Sequence, residues 1–203
     1  MRQLLYIILA LLFLYSCKKH ENSELTTSVK NSTPEQLVDD ETIYEFLNSC
    51  TFSDSSKHGC KTYARKANYF VSSETNIDSL SIIKMDSIFS KKDIEFIFKQ
   101  EKYTYYFELN ENRIPENKNL VSLDTNKVFN NDWEIRNKYL HELLDENGAI
   151  CFVSLPLFSC NRKIAIVNTS IYCGILCGAG GTYIYRKTDN GWVLIVSLNE
   201  WIS

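Results

Sequence analysis

The stretch GTYIYRKTDNGWVLIVSL, residues 181–198, decides the fold. Gly181 to Lys187 and Trp192 to Leu198 are rich in β-branched and aromatic residues, and Thr188-Asp189-Asn190-Gly191 separates them. Asn-Gly between two such runs is the strongest short hairpin signal, because its turn takes positive φ at both central residues. Upstream, residues 163–172 form another run rich in Ile and Val, preceded by residues 149–153 and Leu155-Pro156-Leu157-Phe158. The last third therefore reads as an antiparallel meander.

Helices are expected before it. Thr33-Pro34-Glu35-Gln36 offers a cap, a proline at the first helical position and a glutamine three residues after the cap. Asp39 and Asp40 are alternative caps, and Leu37, Ile43, Tyr44 and Leu47 give the apolar stripe. Ser90-Lys91-Lys92-Asp93 is a capping box ahead of Ile94, Ile97 and Phe98. Asn131 or Asp132 opens a further helix with Trp133, Leu140 and Leu144 as its stripe, stopped by Asn147-Gly148. Between these lie a Ser-rich loop (50–59), strand-like runs at 63–71, 80–85 and 103–109, and a break at 110–118 containing Pro115. Helices first and antiparallel strands last make an α+β fold, with N-terminal helices packed on a mainly antiparallel sheet.

The amino terminus carries an address. Arg2 precedes an apolar run from Leu4 to Tyr15, then Ser16, Cys17, Lys18 and Lys19. About a dozen apolar residues suit the core of a secretory signal, whereas a spanning helix needs roughly 20. The segment resembles the lipobox of bacterial lipoproteins. That resemblance implies cleavage before Cys17, diacylation of its thiol and N-acylation of the new amino terminus. Several acyl chains anchor durably where one is marginal. The alternative is an ordinary cleaved signal in which Cys17 is incidental. The expected organisation is a signal peptide over 1–16, a polar tether over 17–33 and one envelope domain over 34–203. Lys18 stands where many enterobacterial lipoproteins retained at the inner membrane carry Asp, which points to the outer membrane. Removing residues 1–16 takes away Arg2 and no acid, so the whole-chain charge of −3 becomes −4. A mildly acidic chain without a basic cluster excludes nucleic acid as the expected partner and leaves anchoring to the acyl group.

Cys17 set aside, six cysteines remain: Cys50, Cys60, Cys151, Cys160, Cys173 and Cys177. An even set in an oxidising compartment reads first as disulfides, with fifteen connectivities open. Local proximity suggests Cys50–Cys60 and Cys173–Cys177. Cys151 and Cys160 flank one apolar strand, whose extended length keeps its ends too far apart to bond.

Four of the seven glycines fall within residues 173–181. Cys173, Gly174, Cys177, Gly178, Gly180 and Gly181 form the candidate ligand or partner loop, since glycine permits positive φ and close backbone approach. A phosphate loop would end in Gly-Lys-Ser/Thr, but Gly180-Gly181-Thr182 has no lysine, and a strand rather than a helix follows. Cys173 and Cys177 have three intervening residues rather than the two of thioredoxin-like motifs. His20, His58 and His141 complete no zinc spacing, and no metal or other cofactor is expected. There is no Gly-x-Ser-x-Gly elbow, and no paired carboxylates are singled out, so no catalytic residue is assigned. Cys151 or Cys160 with His141 would make a thiol–imidazole pair only if the fold joined them. Tyr63, Tyr69, Tyr103, Tyr105 and Tyr106 could line a groove or fill half-buried sheet positions.

Ser154-Leu155-Pro156-Leu157-Phe158, Ala165-Ile166-Val167, the CGILCGAG run from Cys173, Gly191-Trp192 and Trp201-Ile202-Ser203 together resemble the C-terminal part of uncharacterised lipoproteins and secreted proteins of Gram-negative bacteria. Residues 93–100 match the same set more weakly. The resemblance implies no activity and points to the Gly-rich turn as the place to look. The leading expectation is a lipid-anchored binding or interaction domain, its partner a protein or small molecule. The competing ones are an envelope enzyme, thiol–disulfide or Cys/His hydrolase, and an immunity protein against an antagonistic toxin.

Overall fold

The computed structural model describes residues 35–53, 60–66 and 85–203. The expected signal peptide, the whole tether with Cys17 and Thr33, Pro34, most of the Ser-rich loop and the runs 67–71 and 80–84 lie outside the described residues.

Side-chain caps set the helix ends. Helix α1 (Asp40–Cys50) starts at Asp39, whose carboxylate accepts Thr42 N–H at 2.8 Å. This corrects the start at Thr33: residues 35–39 are not helical, and the alternative cap Asp39 is the one used. Helix α2 (Lys91–Glu101) carries the expected capping box. Ser90 Oγ accepts Asp93 N–H at 3.3 Å, and Asp93 accepts Ser90 N–H at 3.0 Å. Asp124 and Asp132 cap α3 (Thr125–Val128) and α4 (Trp133–Asn147), and Gly148 ends α4 at φ +69°. The stripe expected on α4 is corrected. Trp133 is 53% exposed, Leu140 and Leu144 are half-buried, and Leu143 is the residue the helix buries.

Among the described residues the strands are β1 (Thr62–Ala64), β2 (Asn119–Val121), β3 (Ile150–Val153), β4 (Leu157–Phe158), β5 (Ile164–Gly174), β6 (Cys177–Thr188) and β7 (Gly191–Ile202). Their order is β2-β1-β3-β5-β6-β7, with β4 also paired to β5. The fold is α+β, and β5, β6 and β7 form the expected antiparallel run. The sheet is mixed, because β1 pairs in parallel with both β2 and β3. β3 and β4 lie along one edge of β5 and are separated at Pro156, which has no N–H to donate. Ser154 keeps that gap paired: its N–H reaches Asn168 O at 2.9 Å, and its Oγ accepts Asn168 N–H at 3.0 Å.

Two local expectations change. Residues 103–109 form no strand; Thr104–Tyr106 is a 3-10 turn, closed by Tyr106 N–H to Tyr103 O and Phe107 N–H to Thr104 O. Thr188 pairs with Gly191, so the final hairpin turns on Asp189 and Asn190 at negative φ, and Gly191 takes the positive φ of 109°. β7, the outermost strand on that side among the described residues, carries two irregularities. Ile195 is an extra residue between paired positions, and Asn199 (φ +50°) and Glu200 together oppose Gly181.

The Cys50–Cys60 pairing is overturned. Cys60 bonds Cys151, with α-carbons 6.0 Å apart, across 91 residues of sequence, and Cys50 is a free thiol. Cys60 leads into β1, whereas Cys50 ends α1 beside Tyr185 of β6. In sheet order β1 and β6 are three strand spacings apart, about 14 Å, beyond the reach of a disulfide.

Residues opposite one another in the sheet share a face, and each face has a core. On one, Phe46 of α1 meets Phe158, Tyr185 and Trp192 edge to face at ring separations of 5.8, 5.4 and 5.0 Å. On the other, Leu123, Val128 and Leu143 pack with Ala64, Ile150 and Phe152.

Gln100 of α2 closes the outer side of β4. Buried itself, it donates from Nε2 to Phe158 O at 2.7 Å and accepts Phe158 N–H on Oε1 at 2.9 Å. Gln100→Leu leaves both backbone groups buried without that partner. Urea denaturation is expected to show a loss of about 2–4 kcal/mol.

Asp93 supplies a second tie between α2 and the β4–β5 turn, accepting Cys160 N–H at 2.8 Å. Burial pushes its carboxyl upward, but hydrogen bonds from the Ser90 hydroxyl and the Cys160 and Ser90 N–H groups outweigh this and hold it below the usual range. A depressed folded pKa contributes stability above the ordinary carboxylate pKa of 3.8 and loses it as pH falls through the lower, folded value. Asp93→Asn is therefore expected to be less stable than wild type at pH 7, with the gap closing below about pH 4 in denaturation curves.

Candidate functional site

The six residues read as one loop are two strand ends and a tight turn. Cys173 and Gly174 finish β5, Ile175 and Leu176 make the turn, and Cys177, Gly178, Gly180 and Gly181 begin β6. Tyr172 pairs with Gly178 and Gly174 with Cys177, so Cys173 is an extra, bulged residue. The bulge turns Cys173 toward Cys177, and the two are bonded with α-carbons 5.0 Å apart. Gly174 has φ +143°, a conformation side-chain-bearing residues rarely adopt.

The glycines of β6 seat an indole. Gly178 and Gly180 share a face, and Trp201 lies across both from β7. A Cβ on Gly180 would stand 2.9 Å from the Trp201 ring and 2.7 Å from Ser170 Cβ; one on Gly178 would stand 3.1 Å from the same ring and 3.0 Å from Ser203 Oγ. Gly181 looks to the opposite face, where a Cβ would meet Glu200 Cγ at 3.1 Å. β6 pairs with strands on both sides, so its backbone is committed to the sheet and forms no anion-binding loop. Trp201 was absent from the candidate residues. The signal for it was a Gly-x-Gly pair on one strand and a large aromatic on the next, the pattern by which an aromatic covers strand glycines.

The β5–β6 turn at this end of the sheet is uncharged and apolar. Residues 171–181 contain no ionisable acid or base other than Tyr172 and the bonded cysteines, and burial pushes the Tyr172 phenol upward. Ile175 and Leu176 are 53% and 86% exposed, Trp201 43% and Ile202 89%.

The remaining candidates are scattered. Cys151 is committed to its disulfide, which removes it from the thiol–imidazole pair. Cys160 is an exposed free thiol against Lys92 O at 3.4 Å, and His141 is exposed on α4. Burial alone pushes the Cys50 thiol up to about 12, which keeps it protonated and unreactive at neutral pH. Tyr63 is buried and donates to Thr51 O at 2.9 Å. Tyr103 is half-buried, Tyr105 and Tyr106 are exposed, and Tyr69 lies outside the described residues. A shallow groove lined by Glu41, Tyr44, Glu45, Asn48 and Arg113 contains groups already engaged. Tyr44 Oη accepts Asn110 N–H at 2.6 Å, and Arg113 lies 3.8 Å from Asp40. Among the described residues, no group of three or more His, Cys, Asp or Glu is placed to hold a metal, and no helix is long and apolar enough to cross a membrane. Comparison of the chain with protein-family models, curated proteins and solved structures gave no match.

Gly180→Ala forces the indole and Ser170 apart. It is expected to cost about 1–3 kcal/mol in chemical denaturation. Tryptophan emission should move to longer wavelength as the Trp201 ring lifts into water.

Proposed function

We propose that this protein is a lipid-anchored interaction domain of the bacterial envelope, held to its membrane through acylated Cys17. The observation that carries this reading is the pair of disulfides. Cys60–Cys151, with both residues buried at 4% and 2% exposure, ties the two parallel strands β1 and β3 together, and Cys173–Cys177 fixes the β5–β6 turn. Disulfides of this structural kind form and persist in oxidising compartments, where an export leader delivers a chain. The apolar run ending at Ser16-Cys17 supplies such a leader together with an acylation site. The outer membrane is the proposed location, following Lys18 after the cysteine.

Cells grown with radiolabelled palmitate are expected to yield a labelled protein in the membrane fraction. Cys17→Ala should lose the label and leave that fraction. Label retained by Cys17→Ala would overturn the anchored reading.

A further inference from the structure

We infer that the disulfide-pinned tip formed by Ile175, Leu176, Trp201 and Ile202 is a lipid-surface contact that seats the domain on a bilayer. The four side chains come from the β5–β6 turn and the end of β7, which the pairing of Ala179 with Ile202 and Gly180 with Trp201 places side by side. They leave roughly 500 Å² of apolar surface in water, the size at which an exposed apolar patch is often functional. Leu176 and Ile202 protrude almost fully, and a fluid lipid surface moulds itself around such knobs where a protein would need matching pockets. The chemistry fits as well. The turn has no charged side chain, Glu200 leans over Gly181 on the face opposite Trp201, and tryptophan favours the depth of lipid headgroups. The bond between Cys173 and Cys177 and the glycine seat of Trp201 hold the tip in shape before it meets lipid, so little ordering is needed on contact.

This inference rests on the proposed anchor only for the nearness of a bilayer. The chain enters the domain at the opposite end of β5, where Arg162, just before that strand, donates to Leu37 O at 3.3 Å. The eleven residues of β5 cover about 35 Å. Fully extended, the chain from Cys17 to Gln36 covers about 65 Å, enough for anchor and tip to meet one membrane. An anchor that holds the tip near the surface makes even a weak apolar contact effective.

The test uses the full chain, expressed with its own leader and reconstituted into phosphatidylcholine vesicles whose acyl chains are either plain or brominated. Bromine quenches tryptophan at close range, and the chain has three tryptophans, Trp133, Trp192 and Trp201. The expected result is quenching by brominated lipid that disappears in Trp201→Phe and in the double variant Leu176→Asp, Ile202→Asp. Near-UV circular dichroism checks that these variants keep the fold. Equal emission in plain and brominated vesicles, or quenching that persists in Trp201→Phe, overturns the inference. So does shielding of Trp201 from aqueous quencher that appears only when envelope proteins are added, which would make the tip a protein contact. The mass of the Cys17 peptide from the same sample scores the anchor separately. Acylated protein with unquenched Trp201 removes the tip contact alone, and unacylated protein with quenched Trp201 removes the anchor alone.

Discussion

The N–H and C=O of Phe158 point away from β5, and Gln100 pairs with both. The rest of that face depends on this arrangement. β4 is two residues long and has β5 along one side; the carboxamide of a helical glutamine takes the place of a strand on the other. With Phe158 fixed, its ring takes Phe46 edge-on, and Phe46 in turn meets Tyr185 and Trp192. Helix α1 and three strands thus meet at the Phe46 side chain, which has no measurable exposure. Asp93, one end of α2, holds the Cys160 N–H, and Gln100, near the other end, holds Phe158, so α2 is fastened to the β4–β5 hairpin at two points. Arg162 adds a third tie from the hairpin. Its guanidinium stacks on Phe96 of α2 at 4.5 Å and reaches Leu37 O ahead of α1.

The parts legible in the sequence were those whose determinants are local. Ser90 and Asp93 marked a helix start through a reciprocal bond only three residues long. Asn147-Gly148 marked a helix end because the chain there needs positive φ. The Ile- and Val-rich runs of β5, β6 and β7 were legible because neighbouring strands joined by short turns leave a repeating pattern. Where local signals conflicted, packing decided. Residues 103–109 have the aromatic content of a strand, yet the turn after α2 satisfies Tyr106 N–H and Phe107 N–H at once, and no partner strand is required. The parallel pairing of β1 with β2 and β3 joins residues far apart in the chain, for which no local pattern exists. Cys60–Cys151 follows from that pairing: Tyr63 lies opposite Cys151, so the segment leading into β1 arrives beside β3.

The Gly-rich segment was legible as an unusual stretch, but its backbone geometry was not. Glycines concentrated in residues 173–181 suggested a backbone loop open to a ligand, because glycine is commonest where chain conformation is unusual. Only Gly174 has that role here, at φ +143°. Gly178 and Gly180 are small for a different reason: they lie in regular strand and make room for a ring donated by another strand. Sequence spacing alone does not separate these uses, since the partner is 21 residues downstream of Gly180 and becomes its neighbour only through the β6–β7 register.

That register also governs how copies of the protein meet. A long apolar strand at the margin of a sheet offers a row of backbone groups on which a second molecule could build. Among the described residues β7 is such a strand, and its row is out of step twice, at Ile195 and again at Asn199-Glu200. A neighbouring β7 could match a few residues before losing alignment. Crowded molecules can therefore stand side by side without polymerising into a continuous cross-β ribbon, and the margin that carries the most oily residues remains a boundary rather than a template.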